Sequence, residues 1–213
     1  MSTTTEVMAH LASGNVRQQD AYHVLQSSGL LELLAAYHPY PAGTVPIDID
    51  VPGSDLDLLC YAEDLDAFEA EIYDQIGGVG EFQCVRGGDL PGQRPYVTCN
   101  LQVGAWPVEI FAQSVPVNRQ NAYLHMIVEW RLLQLWGDAG HREIRRLKQA
   151  GWKTEPAFAS VLGLQGDPYV EMLHLAEMKR EDLWNWARSR TCFEMSTQDK
   201  QMIYTITERT EKT

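Results

Sequence analysis

The chain has 213 residues, 45% of them apolar and 22% charged, which suits one ordinary folded domain with or without a helical appendage. Its net charge of −12 argues against a long nucleic-acid groove, which needs a basic footprint. No apolar run reaches the length of a bilayer span, and the opening MSTTTEVMAHLASGN lacks the basic and apolar regions of a secretion signal, so a cytoplasmic protein with no membrane partner is expected.

Residues 16–37 read as one or two helices broken near Ser27-Ser28-Gly29. A Pro/Gly-punctuated stretch, HPYPAGTVP, follows. Alternation then predicts strands at IDIDV (47–51) and SDLDLLCY (54–61), separated by Pro52-Gly53. Residues 64–76 fit a helix with Asp64 at its N-cap. Three further strands are expected at 81–87, 94–103 and 106–112, with Gly/Pro turn residues at Gly87-Gly88, Pro91-Gly92 and Gly104.

Beyond Pro116 the pattern turns helical. NRQNAYLHMIVEWRLLQLWG and HREIRRLKQAG each end in Gly, and TEPAFASVLGL, DPYVEMLHLAEM and REDLWNWARS follow. Thr154 and Asp167 are good helix N-caps, and a proline follows each within two residues. The expected organisation is an α/β core over 1–115, a helical subdomain over 116–190, and a polar tail over 191–213. The fold class is α+β, a mixed sheet followed by a C-terminal helical bundle.

Charge is divided unevenly. Residues 1–115 hold 16 Asp/Glu against 3 Lys/Arg, whereas residues 116–213 hold 13 against 14. Carboxylates so concentrated suit either a solvated acidic surface or a bound cation. None of Cys60, Cys84, Cys99 and Cys192 forms a C-x-x-C pair, so no zinc ribbon or dithiol redox site is expected, and the thiols are expected to be free.

The chemistry concentrates in Gly43-Thr44 and Ser54-Asp55-Leu56-Asp57-Leu58-Leu59. Strand side chains alternate, so Asp55 and Asp57 share a face while the leucines mark a buried one. Two carboxylates on one face repel, and a hard divalent cation resolves the conflict. Val108-Glu109-Ile110-Phe111 sets a third carboxylate in a strongly apolar strand, where an unpartnered charge is costly. Three carboxylates gathered this way fit Mg²⁺ or Mn²⁺ and metal-assisted phosphoryl chemistry.

This ordered set, Gly-Thr, then Asp-x-Asp, then hydrophobic-Glu-hydrophobic, resembles the nucleotidyltransferase superfamily of the DNA polymerase β type. The wording GTVPIDIDVPGSDLDLLC, PVEIFAQ, QNAYLHM and KTEPAFA resembles a family of uncharacterised bacterial nucleotidyltransferase-like proteins over roughly residues 30–175. The second turn residue departs from that pattern, being Thr44 rather than Ser. The resemblance implies transfer of a nucleoside monophosphate from an NTP, ATP by default, to a hydroxyl, with release of pyrophosphate. Asp55, Asp57 and Glu109 would be the catalytic, metal-binding acids, and Gly43, Thr44 and Ser54 would contact the nucleotide. A small-molecule or protein hydroxyl is the expected acceptor; an RNA end fits the basic helical segment.

Asp48 and Asp50 form a second D-x-D, too close to Thr44 for the superfamily's intervening loop, and are read as an edge face or a border of the site. Arg142, Arg145, Arg146 and Lys148, with Lys153 beyond, would face a triphosphate or an acidic surface. Asn121, His125 and Glu129 recur at i, i+4 and i+8, a stripe that either borders the site or faces solvent. Alternatives on the same residues are a nucleotide-binding module, a metal-dependent phosphohydrolase, or a non-catalytic protein-binding module.

Overall fold

The computed structural model describes residues 1–77, 82–88 and 94–190. Two helices come first. Helix α1 (Thr4–Ser13) starts at Thr3, whose hydroxyl accepts from the Glu6 N–H, and it precedes the first helix expected from sequence. Helix α2 (Val16–Ser27) starts with a reciprocal capping box between Asn15 and Gln18. The expected break follows: Gly29 takes φ +73 ahead of the short helix α3 (Leu30–Leu33) and a 3-10 turn over Ala35–Tyr37.

The sheet has five strands: β1 (Tyr40–Ala42), β2 (Leu56–Tyr61), β3 (Gln83–Gly87), β4 (Tyr96–Val103) and β5 (Trp106–Gln113), in the order β1-β2-β5-β4-β3. Only β2 and β5 run parallel; the other three pairings are antiparallel. Helix α4 (Leu65–Ile76) leaves β2 through Asp64, whose carboxylate accepts from the Asp66 and Ala67 N–H groups at 3.0 Å each. Residues 78–81 and 89–93, with the turn expected at Pro91-Gly92, lie outside the described residues.

Two expectations are corrected in this part of the chain. IDIDV is not a strand; the strand lies earlier, at Tyr40–Ala42. Residues 45–48 form a turn in which the Asp48 N–H donates to the Val45 carbonyl and the Ile49 N–H to the Thr44 carbonyl, both at 3.1 Å. Asp48 takes φ +56, so Ile47 and Ile49 both enter the core, with no exposed edge face between them. The alternation mimics a strand but serves two anchors on one turn. The cysteines are not all free either. Cys84 and Cys99 are register partners across β3 and β4 and form a disulfide with Cα atoms 4.0 Å apart. Cys60 is free and buried, and Cys192 lies outside the described residues.

Compact packing divides the chain into one unit through Leu124 and another from His125 onward, the division falling in the first turn of α5 (Asn121–Gln149). Gly137 interrupts α5 at φ 59 and ψ −151, a conformation nearly confined to glycine. This is the Gly that ends the first helical segment in the sequence. Gly151, which ends the second, takes φ +93. Helices α6 (Thr154–Leu162), α7 (Pro168–Ala176) and α8 (Arg180–Arg188) complete the second unit. Asp167 caps α7 as expected, accepting from the Tyr169 N–H at 2.9 Å, whereas the N-cap of α6 is Lys153 and Thr154 is its first helical residue. Trp136 stacks on Phe158 in the core of this unit at a centroid distance of 5.6 Å. The architecture is the expected α+β arrangement, a mixed sheet followed by helices. Among the described residues no helix is long and apolar enough to cross a membrane. The tail over 191–213 lies outside the described residues.

Candidate active site

The pairing of β2 with β5 brings the acids together. Asp57 and Glu109 are direct register partners. One rung crosses all five strands through Ala42, Asp57, Glu109, Asn100 and Gln83. On either side of this rung Leu56, Leu58, Val108 and Ile110 point to the opposite face and are buried. Leu56 and Leu58 thus bury one face of β2, and Asp57 is half-buried on the other, where the next residue along, Leu59, is buried as well.

Asp55 sits just ahead of β2, and its charge reaches Glu109. Partial burial holds the Glu109 carboxyl above its ordinary range, and the negative charge of Asp55 raises it further. Neither Asp55 nor Glu109 has an ion-pair partner among the described residues. The turn after β1 closes on the same group. Gly43 takes φ +76, and a Cβ there would lie 1.7 Å from Oδ2 of Asp57. Glycine is required twice over, by the backbone angle and by the carboxylate against it. Thr44 is next, its carbonyl tied to Ile49. The Ser54 hydroxyl accepts from the Val51 N–H at 3.0 Å and so holds the Pro52-Gly53 turn.

The loop carrying Gly43 and Thr44 is braced from the N-terminal helices. Buried Gln18 donates from Nε2 to the carbonyls of Val45 at 3.0 Å and Pro46 at 3.2 Å. Asp48 accepts from the Asn15 amide, and Asp50 pairs with Arg17 at 3.3 Å. The Arg17 guanidinium lies 3.3 Å over the Trp106 ring, whose N–H donates to Asp20 at 2.8 Å. Asp48 and Asp50 thus tie the loop to α2.

The residues suit a hard cation by their donor chemistry, three carboxylates beside a glycine that leaves the Asp57 oxygen uncrowded. Asp57 and Glu109 are neighbours on the sheet, Asp55 precedes it, and the three are not gathered on one point. Among the described residues no three His, Cys, Asp or Glu side chains form a group that could hold a metal ion.

The remaining candidates belong to the second unit, apart from Asn121, which is exposed at the start of α5. Arg142 is exposed, and Arg145 and Lys148 are half-buried on the last turns of α5. Arg146 pairs with Glu143 at 2.7 Å. Beyond Asn121 the expected polar stripe does not face solvent. His125 and Glu129 are buried, at 7% and 3% exposure. His125 Nδ1 meets Glu155 at 3.0 Å, and its Nε2 meets the Tyr169 carbonyl at 3.0 Å. Burial pushes the Glu129 carboxyl well up, Glu155 adds to this, and Lys148 opposes it. Burial acts on Glu155 in the same direction, but the His125 hydrogen bond and charge outweigh it and leave that carboxyl lowered.

A cavity of about 830 Å³ in the first unit, lined in part by Arg94, Tyr96, Phe111 and Arg119, holds residues that the sequence reading missed. The available signal was alternation: Phe111 stands two residues after Glu109 and shares its face of β5.

Residues 23–175 match the model of the domain of unknown function DUF4269, and the chain belongs to that family. No curated protein matches the sequence. Among solved structures, the chain is similar to Cid1 poly(U) polymerase with MgGTP bound, at 13% identity and a TM-score of 0.45, over 81% of this chain and 50% of that one. A structure of Cid1 described for its RNA terminal uridylyl transferase activity matches at 13% identity and a TM-score of 0.46, over 81% and 53%. A cytoplasmic RNA terminal U-transferase matches at 12% and 0.45, over 80% and 53%. The chain spans about half the length of these structures.

Proposed function

We propose that this protein is a nucleotidyltransferase, dependent on Mg²⁺ or Mn²⁺, that moves a nucleoside monophosphate from an NTP to a hydroxyl acceptor. The observation that carries the reading is the direct pairing of Asp57 with Glu109, with Asp55 close enough to raise the Glu109 carboxyl. Residues 1–115 would form the catalytic core and 116–190 a helical subdomain. ATP is the default donor, and a small-molecule or protein hydroxyl the default acceptor.

Asp55, Asp57 and Glu109 would hold the cation, which when bound neutralises triphosphate charge and makes the acceptor hydroxyl more acidic. Gly43 and Thr44 let a phosphate approach the backbone beside Asp57, where N–H groups and the Thr44 hydroxyl stabilise developing charge. The acceptor oxygen forms its bond to the α-phosphorus as the bond to the bridging oxygen of pyrophosphate breaks. Pyrophosphate leaves with that electron pair. The hydroxyl proton passes to a water molecule or to the Glu109 carboxylate as that bond forms.

The test uses the full chain, each NTP labelled at its α-phosphate, Mg²⁺ or Mn²⁺, and a small-molecule extract as acceptor pool. Label is expected to enter a new compound as pyrophosphate forms, and both are lost in Asp57→Asn and Glu109→Gln. Label released only as free nucleoside monophosphate would make water the acceptor and contradict the reading, as would no turnover of any NTP.

A further inference from the structure

The carboxylates occupy only one end of their sheet face. Glu109, Phe111 and Gln113 alternate along β5 with the buried residues Val108, Ile110 and Ala112. Phe111 and Gln113 therefore stand on the Glu109 face, about 7 and 13 Å further along the strand at ~3.3 Å per residue. The cavity of about 830 Å³ opens there. Tyr96, the register partner of Gln113, stacks on Phe111 at 5.3 Å between centroids and 29° between planes. Ser114 and Asn121 add polar groups to the lining.

The charge of this cavity runs against its surroundings. Residues 1–124 hold 16 Asp/Glu and only four Lys/Arg: Arg17, Arg86, Arg94 and Arg119. Arg17 pairs with Asp50, and Arg86 with Asp66 and Glu69. Among the described residues Arg94 and Arg119 have no ion-pair partner, both line the cavity, and no Asp or Glu lines it. Two such guanidiniums in one cavity of an acidic unit mark a place for an anion. The stacked ring pair beside them offers an apolar wall for a ring. The volume falls within the ~300–1,000 Å³ typical of small-molecule sites.

We propose that this cavity is the acceptor site and takes a small, ring-bearing hydroxy compound with an anionic group, a phosphate or a carboxylate. Arg94 and Arg119 bind the anion, Tyr96 and Phe111 pack on the ring, and the hydroxyl extends along the sheet face toward Glu109. The inference rests on the transferase reading, because it gives that reaction its second substrate. The bonds made and broken are those given above: acceptor oxygen to α-phosphorus formed, α-phosphorus to pyrophosphate oxygen broken, and the hydroxyl proton passed on as stated there.

Calorimetric titration of wild type, Arg94→Gln and Arg119→Gln tests it, with AMP, ribose 5-phosphate and 4-hydroxybenzoate as probes in chelator. A parallel arm titrates ATP with Mg²⁺. Both arginines are exposed, so the variants are expected to fold. At least one probe should bind wild type saturably and bind each variant roughly tenfold or more weakly, with MgATP binding unchanged. Response to the phosphates or to the benzoate tells which anion the arginines select. No saturable binding of any probe, or binding indifferent to both substitutions, overturns the acceptor site. Loss of MgATP binding in the arginine variants would give the cavity to the nucleotide and also overturn it. Failure of MgATP to bind wild type would instead fault the transferase reading, and the chelator arm reads independently of that.

Discussion

Asp57 and Glu109 stand opposite each other across the parallel pairing of β2 and β5, on strands spaced about 4.8 Å apart. Asp55, just ahead of β2, is near enough to raise Glu109, so these two carboxylates repel in the folded protein. The electrostatic cost of holding them is open to measurement in cation-free buffer.

Glu109 binds its proton more tightly folded than unfolded. Its stabilising contribution is therefore fully present below the unfolded pKa and is lost as pH rises through the folded one. In chelator, Glu109→Gln should be more stable than wild type at alkaline pH, with the gap closing toward the acid side of the carboxylate range. Denaturant unfolding across pH checks this, and a variant less stable than wild type at every pH contradicts it.

Gly43→Ala and Gly53→Ala separate two costs. Both glycines have positive φ, +76 and +89, but a Cβ at Gly53 meets nothing within 4 Å whereas one at Gly43 meets Oδ2 of Asp57 at 1.7 Å. Gly53→Ala should cost about 1–2 kcal/mol from its backbone angle. Gly43→Ala should cost a further ~1–3 kcal/mol from crowding and abolish NTP turnover. Equal losses of stability in the two variants would count against the contact with Asp57.

Glu129 carries a buried oxygen, Oε1, without a hydrogen-bond partner among the described residues, and burial raises its carboxyl well above the usual range. The sign is that of Glu109: the protonated form suits the fold, and stability falls as pH rises through the raised pKa. Glu129→Gln should gain over wild type as pH rises through that raised pKa, which denaturant unfolding across pH measures. Glu155, which His125 holds low, works oppositely: its contribution is present above the unfolded pKa and lost as pH falls through the folded one. Glu155→Gln should therefore lose stability near neutrality and approach wild type in acid.

The Cys84–Cys99 bond ties edge strand β3 to β4 and closes a sequence separation of 15. A loop of this length contributes about 3 kcal/mol in the chain-entropy account. Dithiothreitol should lower the stability of wild type by an amount of that order and leave Cys99→Ala unmoved. A wild type indifferent to reductant would show that the bond contributes nothing.

Local pattern carried much of this fold into view, and long-range pairing carried what it missed. The apolar alternation around Asp57 and Glu109 marked both strands and their buried faces, and the Asp64 and Asp167 caps and the Gly137 break follow from local chemistry. The Ile-Asp alternation at 47–50 misled because period two does not distinguish a strand from a turn that buries two isoleucines. The disulfide is set by the register of β3 and β4, which spacing between cysteines does not encode. His125 and Glu129 carry a helical period that looks solvent-facing, because Glu155, the half-buried partner of His125, stands 30 residues beyond it. Arg94 and Arg119 come together only when β4, β5 and the start of α5 are assembled around one cavity.

The central claim, that these carboxylates hold a cation and an NTP, is tested most directly by thermal unfolding of wild type and Asp57→Asn with each NTP, with and without Mg²⁺ or Mn²⁺. A ligand at a hundred times its Kd adds ~2.7 kcal/mol, roughly 5–11 °C in Tm for a chain of this size. The account predicts a shift of that order with at least one NTP, dependent on the cation and absent in Asp57→Asn. A cooperative transition that no combination of NTP and cation moves would contradict it.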